Sequence, residues 1–166
     1  MAGTRIHVNF EATAARQGLA GLLNAIQNPA PLLENLGEYT LGSTRDRFKT
    51  QTAPDGSAWA ALQPWYKRIK ARNKNKALTL DGYLRGQMTW QMDGKRKVEV
   101  GSNSPYAAVH QFGSDRPQNV QRLRFKDYIP RATTIPARPY LGLSDEDRNE
   151  IVERTLDWLR TSGGIS

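Results

Sequence analysis

The sequence predicts a single α+β domain, in which a small, mostly antiparallel sheet packs against two or three helices and long basic loops extend from it. Three observations support this class. Apolar residues recur at helical spacing in Leu19–Ile26 and again in Ile151–Leu159. Between them, apolar and polar residues alternate on both sides of Asp93-Gly94, which is typical of a hairpin. No internal repeat divides the chain, so we treat residues 1–166 as one domain.

The first third of the chain is predicted to form a strand and two helices. Ile6–Phe10 alternates apolar with polar residues, which indicates a strand with one buried face. The helix that follows contains Gly18 and Gly21, each of which costs about 1 kcal/mol relative to alanine. Pro31 is well placed in the first turn of a second helix that runs toward Phe48.

The middle of the chain is predicted to contain a turn, a short helix and the hairpin. Residues 53–57 form a turn by composition. Thr79 or Asp81 is a candidate cap for a short helix that ends at Gly86. The two strands of the hairpin are then Met88–Met92 and Val98–Val100.

The last third is predicted to end in a capped helix. Pro105 opens a helical turn that Gly113 ends, and Ile135–Leu143 is an extended edge segment because it contains two prolines. Ser144 begins the final helix, since a hydroxyl cap and the three acidic residues after it satisfy free N–H groups and the helix dipole.

Positive charge is concentrated in two polar stretches, at about residues 64–77 and 114–134. The chain has 24 Lys+Arg against 16 Asp+Glu, a formal net charge of +8. Neither stretch has apolar periodicity, so both are predicted to be loops, the first of them mobile and solvated. We expect their cations to face DNA non-specifically, to pair with a neighbouring subunit, or only to keep the protein soluble. These candidate contact residues are Lys67, Arg68, Lys70, Arg72, Lys74, Lys76, Arg116, Arg122, Arg124 and Lys126.

The sequence offers no set of residues for catalysis or metal binding. It has no cysteine, which excludes disulfides, thiolate catalysis and Cys-ligated zinc. His7 is predicted to face solvent and His110 to be a structural, hydrogen-bonded residue, and neither has the spacing of a metal ligand. No phosphate-binding glycine loop or G-x-S-x-G elbow occurs. We therefore expect no enzymatic activity and no cofactor.

No targeting or membrane segment is expected either. Met1–Phe10 lacks the apolar core of a signal peptide, and nowhere do 18 consecutive apolar residues occur. We expect a protein that begins in the cytoplasm and has no membrane partner.

Three ordered stretches of sequence carry a family resemblance. They are Pro54-Asp55-Gly56 with Trp59 and Leu62; Val100–Asn103 leading into Tyr106-Ala107 and His110–Gly113; and Ile135–Ser144. In order and spacing they resemble the virion morphogenesis proteins of Mu-like phages and the tail-completion protein S of P2-like phages. The similarity extends over almost the whole chain, from about Phe10 to Leu159. The two basic stretches are not part of these motifs.

This resemblance implies a small structural protein of a tailed phage that acts late in assembly, at the neck or the head-proximal end of the tail. It implies a ring, commonly of six copies, around the DNA channel. The implied partners are further copies of the chain, neighbouring neck, adaptor or tail-tube proteins, and packaged double-stranded DNA. The implied location is the virion, after assembly in the host cytoplasm. Among stopper, terminator and adaptor positions, the resemblance favours the tail-proximal side.

The motif residues are expected to be mainly structural, with Pro54–Trp59 and Ile135–Leu143 organising the fold. Trp59 and Phe112 are expected in the core, and Arg138 is a candidate for a buried ion pair. The full motif set is Pro54, Asp55, Gly56, Trp59, Tyr106, His110, Gln111, Phe112, Gly113, Pro136, Ala137, Arg138 and Pro139.

Two other functions compete with the structural one. The charge alone supports a free, non-specific DNA-binding protein that acts in packaging or regulation. An enzyme, such as a peptidoglycan hydrolase carried in the tail, is disfavoured because no catalytic set accompanies it.

Overall fold

The computed structural model describes residues 12–119 and 132–164, so the strand predicted at Ile6–Phe10 lies outside it. Six helices and four strands occur in the described ranges, and the α+β class is confirmed. In chain order they are α1 (Thr13–Gln27), α2 (Ala30–Thr50), α3 (Pro64–Ile69), α4 (Tyr83–Gly86), β1 (Met88–Asp93), β2 (Lys97–Ser102), α5 (Ala107–Phe112), β3 (Ser114–Asn119), β4 (Ala132–Ile135) and α6 (Asp145–Ser162).

The long helix α2 is the centre of the fold. Its apolar stripe buries one face along most of its length: Gly37, Leu41, Thr44 and Phe48. The β1–β2 hairpin packs on this face at Gly37, which has no side chain. A Cβ there would lie 2.8 Å from Val98 Cγ2 and 3.0 Å from the Trp90 ring. Tyr39, two residues further, points about 200° around the helix axis and contacts α6 instead. The hairpin and α6 therefore lie on opposite sides of α2.

The cap predicted for the last helix is confirmed. The Asp147 amide donates to Ser144 Oγ at 3.1 Å, and the Ser144 amide donates to Asp147 Oδ2 at 2.8 Å, which forms a capping box. Near its other end α6 meets α1, where a Cβ on Gly21 would lie only 2.1 Å from the Ser162 carbonyl oxygen. The glycine that weakens α1 as a helix thus lets the two backbones approach.

The strands form two separate two-stranded antiparallel sheets rather than one. β1 pairs with β2 from Met88 opposite Ser102 to Asp93 opposite Lys97, as the hairpin signal predicts. β3 pairs with β4, with a register shift between Ser114 and Gln118. The prediction that residues 114–134 form a loop is therefore wrong at both ends of the stretch. A two-stranded ribbon needs only backbone pairing, so its polar sequence shows no alternation.

The stretch at residues 64–77 is also not all loop. Pro64 occupies the first turn of α3, where its missing N–H costs nothing, and Trp65 and Tyr66 on that helix are half-buried. The expected cap by Thr79 or Asp81 is wrong as well. α4 begins after Gly82, whose φ of 83° and missing side chain let the chain turn into the helix without a side-chain cap.

Aromatic rings fill the core beneath α2. Phe48 packs edge-to-face on Trp59 with ring centroids 5.4 Å apart. Its ring is tilted by 46° to that of Tyr140, with centroids 5.3 Å apart. Burial of side chains of this size contributes about 1.5–3 kcal/mol each. After β4 the segment that carries Tyr140 forms neither helix nor strand, and Arg138 and Tyr140 on it are buried rather than exposed as at an edge.

Candidate functional site

The first motif forms a turn that delivers Trp59 to the core. Asp55 Oδ1 accepts from the Ser57 amide at 2.9 Å and from its hydroxyl at 2.6 Å, and these bonds lower the pKa of Asp55. Gly56 adopts a φ of 80°, which favours glycine. Trp59 is buried, as expected, and its Nε1 donates to the Pro139 carbonyl at 2.7 Å. This bond joins the first motif to the third.

The second and third motifs also interlock. Gln111 Oε1 accepts from the amides of Tyr140 and Leu141, both at 3.0 Å, and its Nε2 donates to the Leu141 carbonyl. The Gln111 side chain thus makes the backbone hydrogen bonds with residues 140 and 141 that a neighbouring strand would otherwise make. A Cβ on Gly113 would lie 2.8 Å from the Ala137 nitrogen, and its φ is 79°. Backbone contact therefore requires glycine there.

Phe112 does not lie in the core, contrary to the prediction, because its side chain is 78% exposed at the end of α5. Its neighbour on the helix, His110, is half-buried, but its Nδ1 has no hydrogen-bond partner within the described ranges. The expectation of a hydrogen-bonded histidine is therefore not met at Nδ1. Burial, and then the charge of Arg138, lower the pKa of His110.

Arg138 is buried, as expected, but its guanidinium binds backbone rather than a carboxylate. Nε donates to the Ala60 carbonyl at 2.7 Å and Nη2 to the Ala61 carbonyl at 3.1 Å. No ion pair of Arg138 occurs among the described residues, so the ion-pair prediction is wrong. Burial lowers the pKa of Arg138. The carbonyls of Ala60 and Ala61 therefore accept the hydrogen bonds that a carboxylate was expected to accept.

The buried ion pair is instead Arg47 with Asp147, which sequence reasoning missed. Arg47 also donates to the carbonyls of Tyr140 and Gly142, at 3.0 and 2.8 Å. Burial raises the pKa of Asp147, but bonds from Ser43 and the Ser144 amide, the Arg47 charge and the Tyr39 hydroxyl outweigh it, so the pKa is lowered. The capping-box spacing could have singled out Asp147 among the three acids, but nothing in the sequence points to Arg47.

Within the basic stretch at 64–77, Lys70 departs from the prediction of a solvated contact residue. It is buried, and its ammonium donates to the carbonyls of Asn73, Lys76 and Thr79 at 2.5–2.9 Å. Burial, and then the charge of Arg138, lower its pKa. Lys70 thus holds the loop after α3 in place, because three carbonyls of this loop surround its ammonium group. The remaining cations of the stretch are exposed: Lys67, Arg68, Arg72, Lys74 and Lys76.

Of the second basic stretch, Arg116 lies on β3, where side chains are not described, and three residues lie outside the described ranges: Arg122, Arg124 and Lys126. Their predicted contacts remain predictions.

A groove of about 430 Å³ opens beside α3 and α5, which we call the aromatic groove. Four aromatic side chains are among its lining residues: Trp65, Tyr66, Tyr83 and Tyr106. The buried cations Lys70 and Arg138 and the half-buried His110 also line it, so its lining includes two positive charges. Its one lining carboxylate, Asp81, lies 3.4 Å from Arg72. The groove is suited to an apolar group accompanied by negative charge.

Two helices present apolar side chains to solvent. On α1, three residues at helical spacing are more than half exposed: Leu19, Leu23 and Ile26. On α6, Val152 is 55% and Leu156 40% exposed. These residues belong to the apolar spacing that predicted the two helices, and the structure leaves them exposed. An apolar stripe left in water marks an interaction surface.

Within the described ranges, no three His, Asp or Glu residues are grouped as metal ligands would be. None of the helices in those ranges is long and apolar enough to cross a bilayer.

Comparison with known proteins shows which family this sequence belongs to. The family model of the phage virion morphogenesis family matches residues 10–160. Over 150 residues, 90% of each chain, the sequence is 27% identical to the Mu-like prophage FluMu G protein 2 of Haemophilus influenzae. Over 117 residues, 68% of each chain, it is 32% identical to the putative capsid assembly protein G of Escherichia phage Mu. No solved structure matches. The chain belongs to the phage virion morphogenesis family, and its role in a phage is structural or in assembly.

Proposed function

We propose that this protein is a non-enzymatic virion subunit that forms a ring at the head–tail neck, completes the tail and joins it to the head around the DNA channel. The observation that carries the proposal is the pair of exposed apolar faces, on α1 and α6, of a chain in this family. Subunits that meet copies of themselves or neighbouring proteins need such faces, because exposed apolar patches mark interaction surfaces.

The ring form follows the family resemblance, which favours six copies. A ring needs two different patches on each subunit, one complementary to the other. The chain offers more than one patch of distinct chemistry, since the exposed apolar stripe on α1 and the aromatic groove involve different elements. The exposed cations between residues 67 and 76 face either the DNA channel or a neighbouring copy in this proposal. Lys70 is excluded from that role because it is buried.

The test is loss of the protein during phage assembly. Interrupting its reading frame in the phage that encodes it should give separate full heads and separate tails, counted by negative-stain microscopy of induced lysates. A plasmid copy of the intact gene is the control and should restore joined particles. Normal virions without the protein contradict the joining role, and empty heads would place it earlier in assembly.

The exposed cations favour a second candidate, a free non-specific DNA-binding protein. Such a protein binds duplex DNA tightly as a monomer, and its affinity falls steeply with salt. Light scattering on a sizing column and DNA titrations at several salt concentrations check this. Tight binding by a stable monomer at moderate salt would favour this candidate over the connector.

A further inference from the structure

Charge is segregated between α6 and the basic stretch. The sequence of α6 contains six acidic and three basic residues. Residues 64–77 contain six basic residues and no acidic one, in a chain with a net charge of +8. Charges of opposite sign that are concentrated in different elements of one chain can attract between copies.

The outer face of α6 combines an apolar pair with an acidic stripe. Val152 and Leu156 are one helical turn apart and partly exposed. Glu146, Glu153 and Asp157 are exposed at spacings of seven and four residues, which align them in a neighbouring stripe. Arg160 is exposed on the same side and donates to Asp157 Oδ1 at 2.8 Å, so the stripe holds three carboxylates and one guanidinium and stays acidic. Apolar residues at i and i+4 are the anchors by which a helix lies in an apolar groove.

The aromatic groove has the complementary composition. Four aromatic side chains contribute to its lining, and one of them, Tyr83, is 67% exposed. The helix α3, which supplies Trp65 and Tyr66 to the lining, carries the exposed cations Lys67 and Arg68. Lys70 and Arg138 add buried positive charge, His110 is half-buried, and Asp81 lies close to Arg72. An acidic helix with an apolar pair fits this surface in both apolar and electrostatic character.

The two surfaces lie on different sides of the molecule. α6 contacts the side of α2 that carries Tyr39 and Arg47. The groove adjoins the core on the other side, where its lining residues Leu78 and Leu84 pack with Phe48. Complementary patches on opposite sides cannot meet within one chain. Between copies they produce a head-to-tail contact, the kind that closes into a ring.

We propose that the outer face of α6 of one copy lies in the aromatic groove of the next copy. Val152 and Leu156 pack on the aromatic side chains, and Glu153 and Asp157 face Lys67 and Arg68. This contact rests on the proposed ring and identifies which surfaces form it. It also assigns the cations of α3 to a subunit contact rather than to DNA.

The test is charge reversal, with complementation of the interrupted phage by plasmid copies as the readout. One variant, Glu153→Lys with Asp157→Lys, makes the α6 face basic. A second, Lys67→Glu with Arg68→Glu, makes the exposed side of α3 acidic. A third carries all four substitutions and keeps the original net charge. Lys95→Glu with Arg96→Glu, in the exposed turn between β1 and β2, matches the second variant in charge and is the control.

We expect each of the first two variants to lower the titre of infectious particles by roughly 100-fold or more, because like charges then meet across the contact. The four-substitution variant should recover to within about tenfold of the unaltered protein, since its charges are again complementary. The control should complement normally. Circular dichroism and thermal melting of each purified variant verify that the fold is retained.

Two results overturn the proposal. In one, the reversed variants complement as well as the unaltered protein. In the other, they fail and the four-substitution variant fails equally, which shows that the cations of α3 act on another partner, such as DNA. Failure of the proposed function looks different, because the interrupted phage then shows no defect in joining heads to tails, whatever the variants do.

Discussion

Arg47 on one side of α2, and Lys70 and Arg138 on the other, are all buried cations, but different groups stabilise them. Arg47 meets the carboxylate of Asp147, so its charge is neutralised within the subunit. Lys70 and Arg138 bind backbone carbonyls, and no carboxylate pairs with either in the described ranges. Carbonyl dipoles satisfy hydrogen bonds without cancelling net charge. The first arrangement neutralises the charge within the subunit, and the second leaves the charges of Lys70 and Arg138 uncancelled in the lining of the aromatic groove.

The largest expected loss of stability follows from breaking the Arg47–Asp147 ion pair. Asp147→Ala leaves Arg47 buried without its counter-charge and removes the cap of α6, which should lower the free energy of unfolding by about 3–5 kcal/mol. Urea unfolding followed by circular dichroism measures this. Asp145→Ala is the control, because Asp145 is exposed at the same helix end and should cost less than about 1 kcal/mol. Equal losses would mean that helix-end charge, rather than the ion pair, stabilises α6.

The same ion pair predicts that the free energy of unfolding falls at acid pH. Because the folded-state pKa of Asp147 is lowered, its contribution is complete above about pH 4, the ordinary range of an aspartate. It is lost as the pH falls through the folded-state pKa. Urea midpoints measured from pH 7 down to pH 2 should therefore decrease below about pH 4. In Asp147→Asn this part of the decrease should be absent, and an unchanged profile would contradict the assignment.

A smaller effect is expected on the carbonyl-bound side. Arg138→Met leaves the carbonyls of Ala60 and Ala61 unpaired but removes a buried charge, so we expect a loss of about 1–3 kcal/mol in unfolding experiments. The same substitution should raise the pKa of His110, because the repulsion by Arg138 disappears. Titration of the His110 ring by NMR measures that shift. A pKa that stays the same would show that burial alone depresses it.

The smallest effect is expected at Lys70. Lys70→Met removes the donor that binds three carbonyls of the loop after α3, which should open that loop locally more than it lowers global stability. Limited trypsin digestion should cut faster at Arg72, Lys74 and Lys76 than in the unaltered protein. Lys67→Met is the control, since Lys67 is exposed on α3. Faster cutting in both variants would indicate loss of α3 rather than of the loop.

Sequence reasoning predicted well where one element determines its own structure. Apolar spacing identified α1, α2 and α6, the Asp93-Gly94 signal identified the β1–β2 hairpin, and Ser144 was recognised as a cap. Sequence reasoning failed where contacts with residues distant in sequence determine the structure. The pairing of β3 with β4, the burial of Lys70 and the exposure of Phe112 depend on contacts made only after the chain folds.

The candidate site shows the same division. Residue types and spacing located the motifs and the family, which the comparison with known proteins confirms. They did not reveal that Arg138 binds carbonyls, or that Trp65 and Tyr66 of α3 line a groove together with Tyr83 and Tyr106. The groove is built from segments between residues 62 and 138, so no local pattern in the sequence describes it.

One carboxylate of the capping box has a consequence for folding. Asp147 both caps the first turn of α6 and receives the guanidinium of Arg47 from α2. The first turn of α6 and one of its attachments to α2 therefore depend on a single side chain, while Arg154 provides another attachment by donating to Asn35 Oδ1 at 3.0 Å. The helix forms its first turn best when it is already docked, so α6 and α2 should fold and unfold as one cooperative unit.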